Sequence, residues 1–195
     1  MDYWRIGLLG DCDVGKTTLA KQFTLNCFLE EEEETFRKQL VVDNRMCFLE
    51  LLDPHWKSEP LQSDHHVLKE CDGFLLIYSI ASRTSFDGID VYHQALLESA
   101  ALKGPTKPVF ILVGNKMDKQ SYQGEVTRDE GVAKAKELGC QFFQTSAKTA
   151  QNVERAFMEV IRQLRQRPGT AKKGDHVPPK TRRVMLGRGR SCIVM

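Results

Sequence analysis

One short segment of the chain has the glycine, lysine and threonine spacing of a loop that binds phosphate groups. It fits the pattern G-x-x-x-x-G-K-[ST] and follows an apolar run at 6–9. Backbone N–H groups of such a loop, together with unpaired N–H groups at the start of the following helix, can bind phosphate oxygens. The segment consists of Gly10, Asp11, Cys12, Asp13, Val14, Gly15, Lys16 and Thr17. It predicts a bound nucleoside phosphate.

Two side chains of this loop carry its chemistry. The ammonium group of Lys16 is a point charge for the β- and γ-phosphates, which makes Lys16 a candidate catalytic residue. The hydroxyl of Thr17 is placed to coordinate Mg²⁺ beside them, and Thr18 follows as a further nucleotide-binding candidate. The alternative to a phosphate-binding loop is an ordinary glycine turn between a strand and an amphipathic helix.

Apolar runs alternate with helical patterns along the chain, which is typical of an α/β fold with a mostly parallel sheet. We predict six strands, at 4–9, 38–42, 46–52, 73–80, 109–114 and 141–145. We predict five helices, at 16–26, 64–69, 86–102, 128–138 and 153–167. Asp43 and Asn44 indicate a hairpin turn between the second and third strands, so one antiparallel pair is expected in the sheet.

The composition is that of one domain with an appended tail. The chain has 195 residues, of which 41% are hydrophobic, and a net charge of +2; this is enough for one core. We therefore predict a globular domain at 1–167 and a disordered basic tail at 168–195. Six cysteines without C-x-x-C spacing, and no apolar signal segment, favour a reduced, intracellular protein. Because no run approaches about 20 apolar residues, any membrane role would need a surface anchor.

Two further polar motifs follow predicted strands. Asn115, Lys116 and Asp118 form N-K-x-D after the fifth strand, at the sheet edge where open α/β folds bind ligands. A second motif follows the sixth strand and consists of Ser146, Ala147 and Lys148. We include all six residues in the predicted nucleotide site.

Together with the phosphate loop, these motifs resemble the Ras family of small GTPases over residues 3–167 and again at the C-terminus. The resemblance implies a P-loop NTPase G domain that binds GTP and GDP with Mg²⁺ and acts as a monomer with exchange factors and effector proteins. In that family the aspartate of N-K-x-D accepts hydrogen bonds from guanine N1 and N2. Asp118 is therefore assigned to the choice of guanine over adenine, which disfavours an ATP-binding protein.

The same resemblance assigns roles to the other residues around the base. Ala147 would donate its backbone N–H to guanine O6, and Asn115 would tie the loops together. The aliphatic stems of Lys116 and Lys148 would pack along the base and sugar. Phe28 matches the aromatic residue that the family has beside the guanine ring.

The third family motif, D-x-x-G-Q, is largely replaced in this chain, which reads D-P-H-W-K at 53–57. Asp53 can still hold a metal-bound water. Trp56 stands where a glycine N–H normally meets the γ-phosphate, and Lys57 stands where a glutamine orients the attacking water. Because a lysine has three donors and no acceptor, Lys57 cannot orient water in the same way, although it could neutralise the γ-phosphate as a static charge.

The phosphate loop also departs from the family, which mostly has glycine at positions 12 and 13. Cys12 is expected to crowd an arginine supplied by an activating protein. Asp13 adds negative charge near the phosphates, where repulsion at ~4 Å is about 1–4 kcal/mol, and this predicts weaker retention and faster exchange. In the alternative, Asp13 points to solvent or pairs with a lysine such as Lys116.

The first switch segment is shortened. Seven residues separate Phe28 from Phe36, fewer than in the usual family pattern. In one interpretation Thr35 is the threonine that ligates Mg²⁺; in the other it is a strand residue, the metal threonine is lost and Glu31 stands in its place. The acidic run at 30–34 is either a solvated loop or a source of repulsion toward a triphosphate unless Mg²⁺ is present.

These departures predict a signalling switch that hydrolyses GTP slowly and responds poorly to activating proteins. The alternative function is a catalytically inactive, nucleotide-bound pseudo-GTPase whose surface serves as an adaptor. Trp56 and Lys57 favour that alternative.

The C-terminal tail has the pattern of a lipid anchor. Cys192 begins a C-a-a-X ending whose final Met195 favours farnesyl transfer. One lipid chain binds a membrane only marginally, so basic residues would supply the second signal. They are Lys172, Lys173, Lys180, Arg182, Arg183, Arg188 and Arg190. We expect the protein at the cytoplasmic face of the plasma membrane or an endomembrane, with no nucleic-acid partner; a merely solubilising or nucleic-acid-binding tail is the alternative.

Overall fold

A six-stranded sheet forms the centre of the domain in a computed structural model that describes residues 1–25, 35–53, 65–103 and 107–167. The strands are β1 Asp2–Leu9, β2 Thr35–Val42, β3 Arg45–Leu52, β4 Gly73–Ser79, β5 Val109–Asn115 and β6 Gln141–Gln144. Their order in the sheet is β2-β3-β1-β4-β5-β6, and β2–β3 is the one antiparallel pair of the sheet among these described residues. This confirms the predicted α/β fold with a mostly parallel sheet.

The predicted hairpin turn is confirmed. Asp43 and Asn44 connect β2 and β3 with backbone φ angles of 49° and 59°, the left-handed region that short polar residues tolerate in tight turns. The second strand begins at Thr35, three residues before the predicted start at Lys38, because its pairing with β3 continues to Leu52.

Helices cover both faces of the sheet. They are α1 Lys16–Leu25, α2 His65–Glu70, α3 Arg83–Asp87, α4 Ile89–Lys103, α5 Gln120–Gln123, α6 Arg128–Leu138 and α7 Val153–Gln166, with a 3₁₀ turn at Met117–Lys119. The single helix predicted at 86–102 was wrong in its start. It is two helices that meet at Gly88, the first of which begins after Ser82, whose side chain accepts a hydrogen bond from the N–H of Ser85.

The core is divided by the sheet into two apolar clusters. On one face α1 and α7 pack together, and the rings of Phe23 and Phe157 stack with centroids 4.1 Å apart. On the other face α2, α4 and α6 contribute to the second cluster, with Leu68, Leu96 and Ala135 buried. These two layers hold the strands rigidly, so the loops at the strand ends start from fixed positions.

The last helix is attached to the amino edge of the parallel strands. Arg165 donates from Nε to Asp2 Oδ2 at 2.8 Å and from Nη1 to the carbonyl oxygen of Val42 at 2.6 Å. Its apolar face is buried as the helical spacing predicts, with Val153, Ala156, Phe157, Val160, Ile161 and Leu164 all in the core. The helix therefore ends at the edge opposite the phosphate loop.

None of the helices within residues 1–25, 65–103 and 107–167 combines the length and apolar character needed to cross a bilayer.

Lowering the pH is expected to remove a stabilising interaction at the N-terminus of α6. Arg83 Nη1 lies 2.7 Å from Glu130 Oε1, and the backbone and hydroxyl of Thr127 donate to the same carboxylate. The guanidinium, followed by these two Thr127 groups, lowers the pKa of Glu130 from 4.5 to about 2. Because the folded pKa is the lower one, this stabilisation is complete above about pH 4.5 and is lost as the pH falls toward 2.

The measurement is urea unfolding of the wild type and Glu130→Gln at pH 7 and pH 3. The wild type should have the higher midpoint at pH 7, and the difference should narrow at pH 3. An equal difference at both pH values would contradict the role of this carboxylate.

Candidate nucleotide site

The phosphate loop connects β1 to α1 and contains two glycines that no other residue could replace without a clash. Gly10 has φ +149°, and a Cβ there would lie 2.0 Å from the carbonyl oxygen of Ile77. Gly15 has φ +92°, and a Cβ there would lie 2.7 Å from Asn115 Nδ2. The glycines thus let the loop pass close to β4 and to the end of β5.

Lys16 folds back over this loop. Its Nζ donates to the carbonyl oxygens of Gly10 at 2.9 Å and Asp11 at 2.8 Å. Burial lowers the pKa of Lys16, while the negative groups of Asp53 and the loop act in the opposite direction. The ammonium group is therefore held inside the loop, where it could meet phosphate oxygens.

Thr17 and Asp53 bring two oxygen ligands together from different elements. The hydroxyl of Thr17, at the start of α1, donates to Asp53 Oδ2, just after β3. Asp53 is buried, with 4% of its surface exposed. Because hydroxyl and carboxylate oxygens are ligands that Mg²⁺ prefers, this pair fits a magnesium site next to the loop.

Thr35, the other predicted metal ligand, is the first residue of β2. Its backbone pairs with Leu52, one residue before Asp53, so Thr35 starts at the same edge of the sheet as the Thr17–Asp53 pair. Its side chain is not among the described groups.

Asn115, the last residue of β5, joins the phosphate loop to the loop after β6. Its Nδ2 donates to the carbonyl oxygen of Val14 at 2.9 Å, and its Oδ1 accepts from Thr145 Oγ1 at 3.1 Å and from the N–H of Ala147 at 3.3 Å. Asn115 is 1% exposed, so these bonds satisfy a fully buried amide. The N–H of Ala147, predicted to face guanine O6, contacts Asn115 in this arrangement.

Lys116, which follows β5, also contacts the phosphate loop. It has a left-handed backbone, φ 64°, and its Nζ donates to the backbone carbonyl oxygen of Asp13. Burial is the main cause that lowers the pKa of Lys116. The side chain of Asp13 is exposed, as is the thiol of Cys12, so the lysine contact predicted for Asp13 is made through its backbone.

Asp118 is oriented by the loop after β6. Ser146 Oγ donates to Asp118 Oδ1 at 2.6 Å and accepts from the N–H of Thr149 at 3.1 Å. Asp118 is half-buried, and Lys148 is exposed. The structure therefore brings both sequence motifs to one place, with a carboxylate whose second oxygen could accept from a base.

Several predicted positions lie outside the described residues. They are Phe28, Glu31, Trp56, Lys57, the acidic run at 30–34 and the whole tail at 168–195, including Cys192.

The sequence did not predict Tyr92 as part of this site. The hydroxyl of Tyr92, on α4, donates to Asp11 Oδ1 at 2.9 Å. Tyr92 is 81 positions away along the chain and lies inside a helix, where an aromatic residue ordinarily indicates core packing. No pattern in the sequence could have paired it with the loop.

The glycine-bounded loop, the cation inside it and the polar loops at the carboxyl edge of a parallel sheet define a P-loop nucleotide-binding domain. A family model described as the Ras family matches residues 5–166. The chain belongs to the Ras family of small GTPases, which confirms the resemblance found in its sequence.

Curated relatives support the same membership. The chain is 40% identical over 182 residues to "Protein ras-2" of Neurospora crassa, covering 83% of this chain and 79% of that protein. It is 38% identical over 206 aligned residues to "Ras-like protein 1" of Pyricularia oryzae, covering 96% and 85%. It is 40% identical over 190 residues to "Ras-like protein B" of Aspergillus fumigatus, covering 85% and 79%.

Proposed function

We propose that this Ras-family protein is a membrane-anchored signalling switch that binds GTP and GDP with Mg²⁺ and hydrolyses GTP slowly. The observation that carries the proposal is the convergence of Lys16, the Thr17–Asp53 pair and Asp118 at one edge of the sheet. Its protein partners would be exchange factors and effectors, and the unit of function would be a monomer.

The phosphate-binding part of the site would act through electrostatic attraction and hydrogen bonds. Lys16, freed from the two carbonyl oxygens, would donate to β- and γ-phosphate oxygens, and the N–H groups from Asp13 to Thr18 would surround them. Thr17 and Asp53, the latter through water, would hold Mg²⁺, and Thr35 is the further candidate ligand. When bound, the metal neutralises phosphate charge.

The base-binding part of the site would recognise guanine through hydrogen bonds. Asp118 would accept from guanine N1 and N2, and Ala147 would donate to O6. The stems of Lys116 and Lys148, with Phe28, would enclose the ring and sugar. Asn115 would keep the loops that carry these groups at a fixed spacing, because it bonds to Val14 in the phosphate loop and to Thr145 in the loop after β6.

Hydrolysis would be slow because the residue that usually orients water is a lysine. Lys57 has no acceptor for a water proton, and Trp56 replaces a glycine N–H near the γ-phosphate. The exposed Cys12 would obstruct an arginine from an activating protein. Asp13 in the same loop would add negative charge that speeds release of the nucleotide, by an amount that solvent screening limits because its side chain is exposed.

The test is single-turnover hydrolysis of GTP loaded on the purified protein with Mg²⁺, with bound nucleotide counted in parallel. We expect cleavage slower than about 10⁻⁴ per second, and a rate at least about tenfold higher for Lys57→Gln, because glutamine restores an acceptor. A wild-type rate that an activating protein raises to that of an ordinary family member would contradict slow turnover.

The same measurement separates the second candidate function. If GTP stays bound without cleavage in both the wild type and Lys57→Gln, the protein is a pseudo-GTPase that signals through its surface. The replacement of the glycine and glutamine by Trp56 and Lys57 favours this candidate.

Membrane attachment would depend on Cys192. Its prenylation and the basic residues of 168–195 would together supply the two signals that stable anchoring needs, at the cytoplasmic face of the plasma membrane or an endomembrane. We expect Cys192→Ser to move most of the protein from the membrane to the soluble fraction of fractionated cells. Cys140→Ser, which alters a half-buried thiol in the domain, is the matched control. Unchanged membrane association of Cys192→Ser would refute the anchor.

A further inference from the structure

The carboxylate of Asp11 belongs to the phosphate loop but is directed to α4. The hydroxyl of Tyr92 donates to Asp11 Oδ1 at 2.9 Å. The other oxygen lies beside Gly88, where a Cβ would be 3.2 Å from Asp11 Oδ2. Because α4 begins at the next residue, Ile89, the carboxylate lies at the N-terminal end of a 15-residue helix.

Two interactions hold the carboxylate in this position. The N-terminus of a helix carries partial positive charge from its aligned peptide dipoles, and a hydrogen bond to a charged acceptor is stronger than one between neutral groups. Tyr92 is 8% exposed, so little water competes for its hydroxyl. Burial, followed by the hydrogen bond to Asp11, raises the pKa of Tyr92, which keeps the hydroxyl protonated as a donor.

The same residue also contacts the central lysine. The backbone carbonyl oxygen of Asp11 accepts from Lys16 Nζ at 2.8 Å, next to the bond from Lys16 to Gly10. Fixing the side chain of Asp11 therefore fixes a carbonyl group that orients Lys16. If the side chain were released, its carboxylate would be a mobile negative charge in addition to those of Asp13 and Asp53.

We infer that Tyr92 is a positioning residue for the nucleotide, because it holds the Asp11 carboxylate at the start of α4 and away from the bound phosphates. This inference rests on the guanine-nucleotide binding of the proposed function. It assigns to α4, through Tyr92, an influence on how long the phosphate loop keeps its ligand.

The test measures dissociation of fluorescent GDP and of a fluorescent non-hydrolysable GTP analogue, with Mg²⁺, at low and high ionic strength. Tyr92→Phe should release GDP about tenfold faster, the usual effect of losing a hydrogen bond to a charged group. The increase should be larger for the GTP analogue and smaller at high ionic strength, because repulsion grows with phosphate charge and is screened by salt.

Two further variants make the result specific. Asp11→Asn in the Tyr92→Phe background should restore slow release, since an amide carries no charge to repel phosphate. Tyr78→Phe is the matched control, because the hydroxyl of Tyr78 is buried without a hydrogen-bond partner among the described residues; it should release both nucleotides as the wild type does.

Each outcome decides the inference. Equal acceleration for both nucleotides, or no rescue by Asp11→Asn, would overturn it and indicate a purely structural role of Tyr92. Wild-type release of both nucleotides by Tyr92→Phe would overturn it as well, while leaving the proposed function intact. A wild-type protein that retains neither nucleotide would overturn the inference and the proposed function together.

Discussion

Replacing Lys16 by alanine is expected to lower the affinity for GDP and GTP by at least about 100-fold, which is about 2.7 kcal/mol. Lys16 is the cation that folds over the phosphate loop, held there by the carbonyl oxygens of Gly10 and Asp11. Without it the loop would meet a polyanion with Asp13 and Asp53 close by and without its own lysine to oppose them. The loss should therefore exceed that of one exposed ion pair.

The measurement is a fluorescence titration of nucleotide-free protein with labelled GDP in the presence of Mg²⁺. Lys136→Ala, which removes an exposed lysine of α6, is the control and should bind as the wild type does. Circular dichroism should show equal helix content in all three proteins. Binding by Lys16→Ala within about fivefold of the wild type would contradict a site built around this cation, since fivefold is only about 1 kcal/mol.

Asp118→Asn is expected to lower the affinity for GDP by about 10²–10³-fold and to change the base that is preferred. A carboxylate accepts from both N1 and N2 of guanine, whereas an amide can accept from one and presents a donor to the other. A site built to bond a polar group rejects a partner that leaves one of its buried groups unpaired. The amide donor instead suits xanthine, which has a carbonyl oxygen in place of the N2 amine.

Competition of GDP, xanthosine diphosphate and ADP against a labelled nucleotide would measure this change. Ser146→Ala is the informative companion, because it removes the hydroxyl that orients Asp118 and keeps the carboxylate. It should weaken GDP binding by less than about tenfold without a gain for the xanthine nucleotide. An equal loss of all three nucleotides in Asp118→Asn would indicate damage to the loop rather than a change of base recognition.

Local patterns predicted those parts of the fold that local physics determines. The apolar spacing of 153–164 located α7, and Asp43 with Asn44 located the hairpin, because each depends on residues close together in the sequence. The break between α3 and α4 at Gly88 was not predicted, since a lone glycine is tolerated within a helix. The capping bond from Ser85 to Ser82 marks a new helix start that only the folded chain shows.

The sequence predicted the parts of the candidate site that consist of short motifs, but not the contacts between residues that are distant in the sequence. The residue types and spacing of the phosphate loop and of N-K-x-D indicate phosphate and base binding. The bond of Asn115 to Val14 spans 101 positions and that of Tyr92 to Asp11 spans 81, and neither follows from spacing. Such pairs depend on which strand lies beside which, and that arrangement is a property of the whole sheet.

The hydrogen bonds of Arg165 to Asp2 and Val42 determine where on the domain the described chain ends. They fix the end of α7 at the amino edge of the sheet, whereas the ligand loops lie at the carboxyl edge. The described chain therefore ends at one pole of the domain, and the proposed nucleotide site lies at the other. Under the proposed function, a membrane that held the chain beyond Arg167 and an exchange factor that opened the phosphate loop would each have a separate pole of the domain to approach.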